Sequence, residues 1–62
     1  MRFDIFKKRL VETLQAVGYF PGQSHEDAIN ELGDLAMKVE EMYKSGHSVK
    51  EVAELLETYL QE

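Results

Sequence analysis

Residues 24–44, SHEDAINELGDLAMKVEEMYK, carry the pattern that decides the fold of this chain. Their apolar residues recur every three or four positions, which places them on one side of an α-helix. This stripe covers roughly 140° of the helix circumference, enough to contact two neighbouring helices. The sequence therefore predicts a long central helix over residues 25–44. The stripe consists of Ala28, Leu32, Leu35, Val39 and Met42, widened by Ile29, Ala36 and Tyr43.

An amphipathic pattern near the beginning of the chain predicts a first helix over residues 3–17. Its apolar residues fall within about 80° of one another on a helical wheel. Gly18 can end this helix with Tyr19 packing back on the last turn, and Pro21 prevents its continuation. Ile5 and Val11 lie off the stripe, either as ordinary exposed or half-buried residues or as a second contact surface. The stripe is made of Phe3, Phe6, Leu10, Leu14 and Val17.

A third helix is predicted over residues 49–60. Gly46 is suited to end the preceding helix, and Ser48 with Glu51 three residues later forms a capping box, which is typical of a helix N-terminus. The short connection makes helices two and three sequential neighbours. No segment alternates with a period of two, so we expect an all-α protein of three helices. The apolar face of helix three comprises Val49, Val52, Ala53, Leu56, Tyr59 and Leu60, and Leu55 extends it.

Gly33 is the unusual residue of the long central helix. In mid-helix a glycine costs up to about 1 kcal/mol relative to alanine. It lies beside Ile29, Ala36 and Met37 on the wheel. Gly33 either allows another backbone to come close or is simply a weak position in the helix, and the sequence leaves both interpretations open.

The length and composition predict one helical domain over residues 1–62 with little core of its own. A chain this short buries only about 60% of its unfolded surface. It has no cysteine for a disulfide or a thiolate metal site. No apolar run approaches the roughly 18 residues that span a bilayer, and charges interrupt the first residues too often for a secretory signal. We therefore expect a soluble, cytoplasmic protein without membrane contact.

The excess of large apolar residues predicts that a second copy or another protein completes the bundle. Small helical chains that lack core gain burial by pairing. In this interpretation two copies share one core, in which helix two packs beside Phe6, Leu10 and Leu14. The predicted interface consists of Ile29, Leu32, Gly33, Leu35, Ala36, Val39, Met42 and Tyr43.

Charge is distributed unevenly along the chain, whose net charge is −5. Residues 1–22 hold four basic and two acidic residues, a balance of +2, whereas residues 23–62 hold three lysines against ten carboxylates, a balance of −7. Such asymmetry serves an external partner, or it is satisfied internally when a basic helix lies against acidic ones. The internal interpretation is the simpler of the two.

The residue inventory favours no catalytic, metal or cofactor site. Ser24 and Ser48 are explained as helix caps, and neighbours such as Ser24, His25 and Glu26 point in different directions from one helical turn. His25 and His47 lie at opposite ends of a predicted helix about 30 Å long, so they cannot share a metal ion within one subunit. Tyr19 and Phe20 are expected to cover the open end of the bundle.

Nucleic-acid regulation is the competing functional class. Residues 46–56, GHSVKEVAELL, resemble the first helix of many helix-turn-helix domains, in which a serine caps the helix and Val-Ala packs inward. No turn glycine or recognition helix follows them, and the acidic surroundings repel phosphate. An acidic protein can alternatively mimic DNA and occupy a basic groove. We therefore expect a non-catalytic protein-interaction or assembly module, with direct nucleic-acid binding disfavoured.

Overall fold

Four α-helices make up the computed structural model, which describes residues 1–61 and contains no β-strand within them. Helix α1 spans Phe3–Ala16, α2 spans His25–Leu32, α3 spans Leu35–Lys44 and α4 spans Val49–Leu60. The all-α prediction is confirmed, and α1 and α4 match the predicted first and third helices to within one residue. The Cα radius of gyration is 10.4 Å, against about 10.6 Å for a compact chain of this length.

The prediction of one continuous helix over residues 25–44 is wrong, because Gly33 and Asp34 separate α2 from α3. Gly33 has φ +57° and ψ −122°, a backbone conformation that residues with a Cβ rarely adopt. Its N–H donates to the Asn30 carbonyl at 3.2 Å, and its own carbonyl accepts from Ala36 N–H at 3.0 Å. Apolar spacing continues across the break because it records which side chains are buried, not whether the backbone between them is helical.

The close-approach interpretation of Gly33 has no support within the chain. Apart from its chain neighbours, no heavy atom of the described residues lies within 4 Å of a Cβ built on Gly33. The glycine is therefore needed for its backbone angles and not for space. It marks the corner between two helices that pack on the same core.

The central position predicted for helix two is not confirmed, because α1 makes the most extensive packing contacts. Helix α1 packs against each of the other three helices, most extensively against α4, whereas α2 and α4 do not pack together within residues 1–61. Val11 is 1% exposed although it lies off the main stripe of α1. Burial of both Leu10 and Val11, about 100° apart on the wheel, widens the buried arc of α1. Ile5, the other off-stripe residue, remains 42% exposed.

All four helices contribute to one hydrophobic core. The half-buried Tyr19 and Phe20 pack against it from the α1–α2 connection, as predicted. Gln15 holds this connection in place, because its Nε2 donates to the carbonyls of Phe20 at 3.1 Å and Gln23 at 2.8 Å. The buried members of the core are Phe6, Leu10, Leu14, Leu32, Val39, Val52, Ala53 and Leu56.

The predicted caps of α2 and α4 are present. The Ser24 hydroxyl accepts from Asp27 N–H at 3.2 Å. At α4 the Ser48 hydroxyl accepts from Glu51 N–H at 3.2 Å, and a Glu51 carboxylate oxygen accepts from Ser48 N–H at 3.1 Å. Gly46, with φ +90°, ends α3, and the following His47 N–H donates to the Met42 carbonyl at 3.1 Å. These hydrogen bonds fix the tight α3–α4 turn.

Candidate interaction surfaces

The residues predicted as an interface take four different positions in the structure. Leu32 and Val39 lie in the core of the single chain, 5% and 1% exposed, so they do not face outwards. Gly33 is exposed at the corner between α2 and α3. Met42 and Tyr43 each border a surface depression. The remaining members are half-buried against the core, and they are Ile29, Leu35 and Ala36.

Tyr43 connects the end of α3 to the beginning of α1. Its ring centroid lies 4.9 Å from that of Phe3 and 5.0 Å from that of Phe6, and its hydroxyl donates to the Met1 carbonyl. Lys7 Nζ covers the outer side of this cluster at 4.8 Å from the Phe3 ring centroid. The side chain that sequence analysis assigned to an interface therefore has an internal packing role.

A shallow cleft lies between α3 and α4, and we call its five lining residues the α3–α4 seam. Leu55 and Tyr59 stand one turn apart on α4, each 45% exposed. Lys38 Nζ lies 5.7 Å from the Tyr59 ring centroid. The cleft has a volume of about 150 Å³, well below the roughly 300–1,000 Å³ of small-molecule pockets. The seam consists of Lys38, Glu41, Met42, Leu55 and Tyr59.

A larger, open depression lies between one face of α1 and the α3–α4 turn, and we call it the α1 groove. Its volume of about 1280 Å³ exceeds the range of ordinary small-molecule pockets. It shares no residue with the α3–α4 seam. The groove is lined by Met1, Phe6, Arg9, Glu12, Thr13, Ala16, Tyr43, Lys44, Gly46, His47, Ser48, Val49 and Lys50.

Three basic side chains and one acidic side chain line the α1 groove. Arg9 and Lys50 have no carboxylate oxygen within 4 Å among residues 1–61, whereas Lys44 Nζ lies 3.1 Å from Glu40 Oε1. That pair is largely exposed, so solvent screens it and it contributes little to stability. Within the same residues no ion pair joins α1 to another helix. The internal neutralisation of the basic helix that the sequence indicated is therefore not found there.

At the rim of the groove, His47 Nδ1 lies 3.3 Å from Glu51 Oε2. The pKa of the Glu51 carboxyl is lowered, mainly because its carboxylate accepts the hydrogen bond from Ser48 N–H, and further because of His47. This arrangement stabilises the start of α4. The Glu51 carboxylate therefore serves the helix cap and forms no ion pair with Arg9, Lys44 or Lys50.

The described part of the chain holds no candidate metal site. No three His, Cys, Asp or Glu residues of residues 1–61 form a cluster that could hold a metal ion. His25 begins α2 and His47 precedes α4, while Ser24 and Ser48 cap those helices. The Ser24, His25 and Glu26 arrangement is thus the first turn of a capped helix.

Sequence analysis did not find either surface. Leu55 and Tyr59 belong to the predicted apolar face of helix three, but they lie at its edge and the core does not reach them. The cations of the α1 groove come from three separate segments, and only the tertiary packing of α1 beside the α3–α4 turn brings them together. No spacing within one segment indicates that juxtaposition.

The chain matches no protein-family model, no curated protein and no solved structure. Among the helices within residues 1–61, none has both the length and the hydrophobicity needed to cross a bilayer. Leu60 ends α4, the last helix in the described residues.

Proposed function

We propose that the protein is a small, non-catalytic protein-interaction module that forms a homodimer through the α3–α4 seam. The observation that carries the proposal is the pair Leu55 and Tyr59, which remain 45% exposed beside Met42. Single exposed apolar residues are ordinary, but neighbouring ones that border a cleft are typical of contact surfaces. The core is already covered within the chain, and the seam offers two exposed apolar side chains that border one cleft.

The charges of the seam favour a second copy as the partner. Lys38 and Glu41 lie nearly a turn apart on α3 and carry opposite charges at the edge of the apolar cleft. In the proposed two-fold dimer we place Lys38 of one copy opposite Glu41 of the other, and the symmetry repeats this contact. The same surface is then complementary to itself in charge.

The size of the surface makes the proposed dimer a weak one. The chain exposes 4238 Å², and a standard interface of about 800 Å² per partner would cover roughly a fifth of that area. The five residues of the seam provide only part of such an area. We therefore expect reversible association with a micromolar or weaker Kd, which depends on protein concentration.

The non-catalytic part of the proposal is supported by the capping roles of the serines. Enzyme sites bring acids, bases and nucleophiles together in a pocket. Here the serines at positions 24 and 48 accept backbone hydrogen bonds at helix ends. The absence of cysteine from the sequence fits a reducing compartment, and we propose that the protein acts in the cytoplasm.

Analytical ultracentrifugation tests the proposed dimer directly. The wild-type protein is sedimented at concentrations from about 10 μM to about 1 mM, a range that brackets a weak association. Leu55→Lys places a charge in the apolar part of the seam and is expected to shift the protein to monomer. Because Leu55 is already half-exposed, this variant retains the core and is expected to keep its helical circular dichroism.

Ile5→Lys is the matched control, because Ile5 is also in a helix, is 42% exposed and lines neither surface. It is expected to leave the monomer–dimer equilibrium unchanged. A wild-type protein that remains monomeric at about 1 mM would contradict the proposal. Equal loss of the dimer in both variants would show that the seam is not the contact.

A further inference from the structure

We propose that the α1 groove binds an acidic amphipathic helix of another protein. In this complex, carboxylates of the partner contact Arg9 and Lys50, and its apolar side chains pack on the aromatic and aliphatic lining. The proposal does not depend on the dimer, because the α1 groove and the α3–α4 seam have no residue in common.

The charge of the groove is opposite to that of the rest of the molecule. Three of the seven basic residues line it, together with one of the twelve acidic residues. The remaining sequence holds four basic and eleven acidic residues, a balance of −7. The positively charged groove attracts anionic partners. The acidic remainder of the protein repels them, so they are directed to the groove. The groove therefore selects for local negative charge.

Two of the three cations are available to a partner. Arg9 has no carboxylate within 4 Å in residues 1–61, and the same holds for Lys50, which lies on the opposite side of the groove in the first turn of α4. Arg9 presents a planar guanidinium that can bind a carboxylate through two hydrogen bonds. Carboxylates spaced along a partner segment can engage both cations at once.

The apolar part of the lining defines the other half of the ligand. The half-buried Tyr43 and Val49 and the exposed Met1 and Ala16 supply its apolar surface, whereas Phe6, in contact with Tyr43, is only 3% exposed. Such a surface gains from covering by aliphatic or aromatic side chains. A ligand that carries only negative charge would leave these apolar side chains exposed to water.

A helical peptide fits these features better than the alternatives. The backbone groups along α1 are already paired within the helix, and residues 1–61 have no strand edge to which an extended peptide could add. Between Phe6 and Ala16 the groove follows about 15 Å of α1, the length of roughly three helical turns. A continuous polyanion such as DNA would meet Glu12, Glu40 and Glu51 around the cations, which oppose it.

Selection from a random library tests the chemistry of the ligand without assuming a partner. Peptides of about 14 residues, long enough for the roughly three turns of the groove, are displayed and selected on the immobilised full chain. We expect selected sequences to combine Asp or Glu with aliphatic or aromatic residues at helical spacing. A fluorescein-labelled copy of the dominant peptide is then titrated by fluorescence anisotropy.

Charge reversal identifies the site. The double variant Arg9→Glu, Lys50→Glu is expected to weaken binding of the selected peptide by roughly tenfold or more. The matched control Arg2→Glu, Lys8→Glu changes the net charge equally at exposed positions outside the groove and is expected to retain the wild-type affinity. Circular dichroism of both double variants establishes that they are folded.

Four outcomes would overturn the proposal. Selection yields no binder, or binders without enrichment in acidic residues. The control variant weakens binding as much as the groove variant. A labelled DNA duplex of about 20 base pairs binds with the same dependence on Arg9 and Lys50, which would assign the groove to nucleic acid. Sedimentation of the groove variant shows loss of self-association, which would make the groove a contact between copies.

Discussion

The ring of Tyr43 packs edge-on against the ring of Phe6, with centroids 5.0 Å apart and planes at 60°. This contact, together with Phe3 at 4.9 Å from Tyr43, joins the last turn of α3 to the first turn of α1. It closes the fold between two elements that are far apart in the sequence. Phe6 and Tyr43 of this cluster also line the α1 groove.

Replacing Tyr43 separates the contribution of the ring from that of the hydroxyl. Tyr43→Ala removes both aromatic contacts and is expected to lower the free energy of unfolding by about 2–4 kcal/mol. Tyr43→Phe loses only the hydrogen bond to the Met1 carbonyl and is expected to cost about 1 kcal/mol. Urea unfolding followed by circular dichroism measures both values. Equal losses in the two variants would show that the ring contacts contribute nothing.

The break at Gly33 predicts whether a substitution there raises or lowers the stability of the protein. Gly33→Ala is expected to destabilise the protein by about 1–2 kcal/mol, because alanine is strained at φ +57° although space for a Cβ is present. In a continuous helix the same change would stabilise by up to about 1 kcal/mol. Thermal and urea unfolding of the two proteins distinguish these cases.

A synthetic chain with D-alanine at position 33 is the control for that experiment. D-alanine prefers positive φ, so it is expected to keep or raise the stability of the wild-type protein while adding the same methyl group. Destabilisation by D-alanine together with stabilisation by L-alanine would establish that residues 25–44 form one helix after all.

Features that depend on residues close together in the sequence were predictable, and features that depend on tertiary packing or backbone angles were not. Ser48 and Glu51 are three residues apart, so their mutual cap was predictable, as was the end of α1 at Gly18. The corner at Gly33 was not, because Leu32 and Leu35 remain in phase across it and a glycine alone does not report its φ angle. The burial of Val11 was not predictable either, because this residue lies off the main apolar stripe of α1.

The candidate sites were less predictable than the fold for the same reason. Sequence analysis placed the interface on the most apolar face, which includes Leu32 and Val39. The most apolar faces form the core of the single chain, and the surfaces left for partners lie at their edges, as Leu55 and Tyr59 do. The α1 groove also could not be predicted, because Arg9 and Lys50 come from separate segments and line the same depression only in the folded chain.

The lowered pKa of Glu51 predicts a specific dependence of stability on pH. A carboxyl whose pKa is lower in the folded state stabilises the protein above its unfolded pKa, about 4.3, and loses this contribution as the pH falls through the folded pKa. Glu51→Gln is therefore expected to destabilise the protein at neutral pH and progressively less below pH 4. Urea unfolding at a series of pH values measures the difference. If the difference in stability between the wild type and Glu51→Gln grew as the pH fell below 4, the lowered pKa of Glu51 would be contradicted.

Exchange of the two charges on the α3–α4 seam tests the symmetry of the proposed dimer. Lys38→Glu alone places two negative charges opposite each other across the two-fold axis, and it also removes the lysine that covers Tyr59. Glu41→Lys alone creates the corresponding positive repulsion, so both single variants are expected to weaken the dimer several-fold. The double variant Lys38→Glu, Glu41→Lys restores opposite charges between copies and is expected to recover most of the lost affinity. Sedimentation equilibrium at low ionic strength measures all four proteins, and screening by salt is expected to shrink the differences. Additive losses in the double variant, without recovery, would mean that the two residues do not face each other and that the seam does not carry a two-fold contact.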